Sequence, residues 1–282
     1  MKFNQENSQI YVPDGLAPEQ ALWRTTRLAV GAHQDDLEIM AAAGILECFH
    51  NPKEWFSGVV VTDGSGSPRT GLYADFSNEQ MMLVRVEEQK KAAVLGEYAA
   101  QVLLGYPSSI VKDGNQPGVV EDLFQIFQKA RPDIVYTHNL ADKHETHVAV
   151  TLRTISAIRK LPVESRPSRL LGCEVWRDLD WMLDDDKVVL DVSNHENLQK
   201  ALVGVFDSQI SGGKRYDLAT MARRMVNATF LQSHETDSSQ GLSYAMDLTP
   251  LVSNPDLDIA EYVEGYLNRL TNRIKTNIQT LK

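Results

Sequence analysis

The sequence predicts an α/β chain with a Rossmann-like fold: a mostly parallel sheet with helices on both faces. Two observations predict it. Short apolar or β-branched runs alternate with segments of helical periodicity, and the runs close on glycine, proline or other turn residues. Residues 27–32, RLAVGA, form the first strand, and DLEIMAAAGILECF, with apolar positions recurring at three and four, forms the helix after it. WFSGVVVTDG is a second, β-branched strand, followed by the amphipathic helix EQMMLVRVEEQKKAAVLG, which ends on a glycine. AQVLLGYP is a third strand, VVEDLFQIFQKA a helix stopped by Pro132, DIVYTH the fourth strand and HVAVTLRTISAIRK its helix. After Leu161 the pattern is less regular, with LLGCEVW and KVVLDVS as strands, helices near 195–209 and 218–232, and a final amphipathic helix over 256–280. Residues 1–25, with Pro13, Pro18 and little periodicity, read as a loosely structured arm packed on the body, and residues 26–282 as a single domain. The Gly-rich stretch DGSGSPRTGLYADFSN, between the second strand and its helix, reads as the rim of a site.

At 282 residues the chain buries a sizeable core without disulfide staples, and its two cysteines, Cys48 and Cys173, suggest neither a disulfide framework nor a cysteine metal site. A reducing, cytoplasmic setting is expected. The N-terminus lacks the pattern of a signal peptide and no apolar stretch reaches the length of a membrane span. The net charge of −10, from 28 basic and 38 acidic residues, disfavours a nucleic-acid partner, which a basic face would meet.

Directly after the first strand comes Gly31-Ala32-His33-Gln34-Asp35-Asp36-Leu37-Glu38, an imidazole and two adjacent carboxylates. Adjacent acids repel unless a cation or hydrogen bonds compensate, so a metal ion is a natural third member. After the fourth strand comes a second cluster, His138 to His147, which includes His144 and His147. In a parallel sheet both loops open on one edge, where ligands bind. His33, Asp36 and His147 can therefore converge on a single ion, provided His147 comes within about 6 Å of the other two, given zinc's short bonds. Two imidazoles and one carboxylate suit zinc and leave a position open for water, whose pKa the metal lowers toward about 7. Asp35 then remains free as the base. His144, three residues before His147, faces the same cleft, and when protonated could stabilise an oxyanion and protonate a departing amine. Either Asp35 or Asp36 could instead be the N-cap of the following helix, and each histidine a surface residue. That four of the seven histidines follow directly on two strands of one edge favours a site.

These residues resemble the LmbE-like or PIG-L family of zinc N-deacetylases, which hydrolyse N-acetyl groups from glucosamine-containing molecules. The likeness covers about residues 26–160. AHQDDLE is similar to the family's AHPDDxE, with Ile39 and Gly44 in the familiar places, and His144-Glu145-Thr146-His147 is similar to its HxxH. The resemblance implies the LmbE-like deacetylase fold, His33, Asp36 and His147 as metal ligands, Asp35 as general base and His144 as the oxyanion-stabilising acid. It further implies zinc or another divalent metal as cofactor, a small N-acetylglucosamine-containing substrate and a homo-oligomer. Arg85, Arg69 and Asp142 are candidate substrate-side residues, Asp142 as an orienter of His144 or a helix N-cap. Two departures stand out: Gln34 replaces the usual proline, and Thr146 replaces the acid often found between the two histidines. Beyond residue 160 the match thins, with Ser208, Gln209, His234 and Tyr244 as candidates for the substrate end. Two rival readings are a metal phosphoesterase, which calls for two metals and more basic residues, and a catalytically silent sugar-binding member of the fold.

Overall fold

In chain order the computed structural model, which describes residues 1–282, begins with β1 (Gln9–Tyr11), α1 (Pro18–Trp23), β2 (Arg27–Gly31), α2 (Asp36–Met40), α3 (Ala42–Cys48) and β3 (Phe56–Thr62). It continues through α4 (Asn78–Leu95), β4 (Ala100–Tyr106), α5 (Ser108–Lys112), α6 (Gly118–Ala130), β5 (Ile134–His138), α7 (Glu145–Arg159) and β6 (Arg169–Cys173). Then follow β7 (Val188–Asp191), α8 (Glu196–Gly204), α9 (Asp207–Ile210), α10 (Tyr216–Phe230), β8 (Leu242–Asp247), α11 (Thr249–Ser253) and α12 (Ile259–Thr280). The eight strands form one sheet in the order β1-β4-β3-β2-β5-β6-β8-β7. The central pairs, from β4 through β3, β2 and β5 to β6, are parallel.

Strands whose side chains are apolar on both faces belong inside such a sheet. In β2, Leu28 and Val30 face one apolar core and Ala29 the other; in β3, Val59 and Val61 oppose Val60. One core lies under α1, α6, α7 and α11, and the second under α2, α3, α4 and α8. The chain winds from β2 outward to β3 and β4, then returns past β2 to β5 and β6. The direction of winding therefore reverses between β2 and β5, and loops leaving their carboxyl ends part to opposite faces and leave a crevice.

The N-terminal 25 residues are not a loose arm. Gln9–Tyr11 adds an antiparallel edge strand on β4, and Pro18–Trp23 is a helix whose Ala21 and Leu22 are buried. The single helix expected over DLEIMAAAGILECF is two. The carbonyls of Glu38 and Ile39 accept from Arg224 Nη2 at 2.9 and 3.2 Å, so they are drawn away from the partners a continuous helix would offer. The strand β8, which the sequence did not lead us to expect, runs antiparallel to both of its neighbours, β6 and β7.

Candidate active site

The loop after β2 is held from both sides. Thr62, ending β3, donates its hydroxyl to Ala32 O at 2.8 Å, and His138, ending β5, accepts from Ala32 N–H at 2.9 Å. A Cβ at Gly31 would stand 2.9 Å from Leu37 Cδ2 and 3.1 Å from Asp36 Cβ, so glycine lets the chain turn back tightly into α2. At the turn Asp35 adopts a φ of 93°, a conformation that costs a non-glycine residue energy and is found where a site dictates it. Asp35 occupies the N-cap position of α2, but its carboxylate makes no capping hydrogen bond there.

Three donor atoms meet at the crevice. His33 Nδ1 lies 3.3 Å from Asp36 Oδ2, His147 Nε2 lies 3.5 Å from the same oxygen, and His147 Nε2 lies 3.2 Å from His33 Nδ1. The edge of a tetrahedron with zinc-length bonds of about 2.0–2.1 Å is about 3.3–3.4 Å. The three donors therefore have the spacing of one face of a tetrahedral site. Two overlapping groups have the donor spacing to hold a metal: His33, His144 and His147, and Asp36, His138 and His147. They share His147 and so describe one ion. His138 is the less suited member, because its Nε2 lone pair already accepts from Ala32.

The electrostatics suit a cation. Burial raises the proton affinity of Asp36, but His147, His138 and His33 more than offset this and hold it well below the usual carboxylate range. Burial keeps His33 neutral despite Asp36 beside it, as a ligand must be. Asp35 goes the other way. Burial, reinforced by Asp36, Glu38 and Glu88, pushes it well above the carboxylate range although Arg85 Nη2 stands 3.6 Å away. Two neighbouring acids thus take opposite protonation tendencies, the pattern of a ligand beside a base. Burial and the two neighbouring imidazoles lower His144 to about 4, so at neutral pH its ring is uncharged.

His33, Asp35, Asp36, Arg85, His144 and Trp176 line one cavity of about 450 Å³. Arg85 is fully buried within α4. Its Nε donates to Gln34 Oε1 at 3.0 Å and its Nη2 to the Gln34 carbonyl, while Gln34 Nε2 reaches Thr62 O at 3.4 Å. The rigidity a proline would give is replaced here by this cross-link. Asp142 does not line the cavity and does not orient the His144 ring. Its Oδ2 accepts from His147 Nδ1 at 3.4 Å and from Trp176 N–H at 3.1 Å, and its Oδ1 from His144 N–H at 2.9 Å. Arg69 is likewise turned to the rim loop it belongs to, donating to Phe76 O at 3.0 Å and Ser65 O at 2.6 Å. Thr146 lines the cavity with Gln209. Ser208 instead binds Glu88, its N–H and hydroxyl donating at 2.7 and 2.6 Å. Tyr244 is buried on β8 with its hydroxyl on Asn227 O, and His234 is exposed away from the cavity. Trp176, Lys214 and Tyr216, which no local sequence signal marks, complete the far wall.

Residues 28–158 match the PIG-L family, described as GlcNAc-PI de-N-acetylase. No curated relative matches the chain. Among solved structures it is similar to an N,N′-diacetylchitobiose deacetylase from Pyrococcus horikoshii, at a TM-score of 0.62 and 17% identity over 82% of this chain and 86% of that one. It is similar to the conserved protein TT1542 from Thermus thermophilus at 0.60 and 17%, over 83% of this chain and 99% of that one. It is also similar to GalB, the 4-carboxy-2-hydroxymuconate hydratase from Pseudomonas putida, at 0.60 and 16%, over 83% and 100%. At these identities the likenesses establish the fold.

Proposed function

Because the chain carries a PIG-L (LmbE-like) domain, that of a family of N-deacetylases acting on amide bonds, we propose that it removes an N-acetyl group from a small N-acetylglucosamine-containing molecule in a zinc-dependent reaction. The observation that carries this reading is the triangle of His33 Nδ1, Asp36 Oδ2 and His147 Nε2 beside an acid, Asp35, that belongs to none of its edges. A divalent cation held by those three, zinc by the mix of two imidazoles and one carboxylate, supplies Lewis acidity toward a carbonyl and acidifies water.

The remaining work falls to the chain's own groups. Asp35, buried and disposed to take a proton, removes one from the water that attacks the acetyl carbon. Arg85, 3.6 Å away, keeps the carboxylate in place and limits how far its proton affinity rises. The neutral His144 donates a ring N–H to the carbonyl oxygen as charge develops there. When the C–N bond breaks, Asp35 returns its proton to the nitrogen, leaving acetic acid and a free amine, which part as acetate and ammonium. This assigns proton delivery to Asp35, since an uncharged His144 has no imidazolium proton to give. The cavity, about 450 Å³, accommodates one pyranose ring with its substituents.

A hydratase reading is kept in view by the equal likeness to GalB, because a base beside a Lewis-acid site also serves addition of water to a double bond. Metal analysis of the purified protein, coupled to an acetate-release screen over N-acetylated sugars and glycosides, separates these. Deacetylation predicts bound zinc and acetate release abolished by Asp35→Ala. Metal-loaded protein that releases no acetate from any amide, yet hydrates unsaturated acids, refutes it.

A further inference from the structure

Trp176 and Lys214 lie outside the segment matched by the family, and the roles proposed so far do not use them. Both line the cavity that holds His33, Asp35 and Asp36. The Trp176 ring stacks at 6.3 Å from His144, tilted 29°, and the Lys214 ammonium stands 4.9 Å from the centre of the same indole. Tyr216 meets the indole edge-on at 6.2 Å. The wall thus runs from His144 across one indole to a cation. The backbone fixes its two ends. Asp142 pins Trp176 N–H at 3.1 Å, and Lys214 N–H donates to Gln209 O at 2.9 Å within the turn between α9 and α10.

Two cations line this cavity, and they differ in commitment. Arg85 is bound to Gln34 and faces Asp35. Lys214 forms no salt bridge and no side-chain hydrogen bond; the contact its ammonium makes is with the indole face. A cation held over an aromatic face keeps its donors available on the open side. Such a cation in the substrate cavity of a chain of net charge −10 is a local exception to the protein's field.

We propose that Lys214, held by Trp176, reads an oxyanion on the substrate, so that the preferred substrate is an N-acetylated sugar carrying a phosphate or carboxylate rather than a neutral one. The proposal rests on the deacetylase reading for its sugar but not for its charge. The indole of Trp176 contacts both the His144 ring and the Lys214 ammonium, so the oxyanion and the acetyl group are bound at separate places along one wall.

The test measures binding and turnover separately. Zinc-loaded Asp35→Ala protein is titrated calorimetrically with N-acetylglucosamine, its 1-phosphate, its 6-phosphate and N-acetylmuramic acid, with and without Lys214→Gln or Lys214→Glu. We expect at least one anionic sugar to bind about tenfold or more tighter than the neutral one, as a charge-assisted hydrogen bond would give. Whether a phosphate or the carboxylate shows this identifies the oxyanion. Lys214→Gln should erase the preference, Lys214→Glu should invert it, and raising the salt should weaken the anionic ligands alone. Equal binding of neutral and anionic sugars, a preference that survives Lys214→Gln, or no binding of any of them overturns the proposal. Acetate release by the otherwise unaltered enzyme is the second readout. A charge preference in binding without acetate release removes the deacetylase reading and leaves the Lys214 assignment standing. Release from neutral and anionic sugars with equal kcat/KM does the reverse.

Discussion

Asp142→Asn is the sharpest test of how the candidate metal ligands are held. The carboxylate serves three donors at once, His147 Nδ1–H at 3.4 Å, Trp176 N–H at 3.1 Å and His144 N–H at 2.9 Å. With His147 Nε2 as a metal ligand the ring proton sits on Nδ1, and Asp142 is the acceptor that favours that tautomer. Asparagine can place its one oxygen toward His147 and Trp176, but its amino group then confronts the N–H of His144. The negative charge that raises the basicity of His147 is lost in any orientation. Loss of such an outer carboxylate typically lowers metal affinity about 10- to 100-fold, or roughly 1.4–2.7 kcal/mol. The N–H left without an acceptor costs about 1–3 kcal/mol of folding stability on top. Chelator competition for zinc at pH 7.5 and a thermal melt of the metal-free protein read the two effects independently. Zinc affinity within about threefold of wild type, with an unchanged melt, would refute the assignment of Asp142 as the orienting group.

Asp35→Ala should retain zinc at wild-type stoichiometry while acetate release falls to background; loss of metal instead would make Asp35 a ligand. His33→Ala and His147→Ala should each lower zinc affinity along with turnover, as equilibrium dialysis will show. Gln34→Ala strips Arg85 Nε of its acceptor in a buried site and should lower stability by about 1–3 kcal/mol, with kcat falling more than KM rises; an unchanged denaturant midpoint would contradict it. In the metal-free protein, buried histidines and buried acids act in opposite directions as pH falls. His144, lowered to about 4, and His33 and His138, also lowered by burial, contribute stability that is lost as pH falls below their ordinary 6.5, whereas Asp35, pushed well up, and Glu38, pushed up to about 7, contribute stability that is gained over the same range. Asp36 and Asp142, both held below the usual carboxylate value, contribute stability above about 3.8 that is lost as pH falls further. Ring NMR titrations in chelator that show His144 protonating near its ordinary 6.5 would show that it is not buried as described.

The central strands were legible because each is a short apolar run bounded by turn residues, and the parallel arrangement follows from their alternation with helices. RLAVGA and DIVYTH became β2 and β5 as read. What escaped notice depended on partners far along the chain. Gln9–Tyr11 is three residues with no periodicity of its own, and it is a strand because β4 offers it a free edge. The break at Ala41 depends on Arg224, and nothing in the alanine-rich stretch itself foretells a guanidinium reaching the carbonyls of Glu38 and Ile39. Arg69 looked like a substrate contact because it sits in a rim loop, yet its Nη1 and Nη2 donate to carbonyls of that loop.

By itself the sequence determined the order of the central strands β2 to β6 and the residue types gathered after β2 and β5, because local periodicity and turn chemistry act over a few residues. It also placed His33, Asp35, Asp36, His144 and His147 in the two loops of one sheet edge. Only the tertiary structure decided that the donors stand 3.2–3.5 Å apart, that Asp142 serves His147 rather than the His144 ring, and that Trp176 and Lys214 face them. Those relations depend on the winding reversal between β2 and β5 and on packing of the C-terminal helices across it. The contact between His33 and His147 joins residues 114 positions apart, and no window of neighbouring residues encodes it.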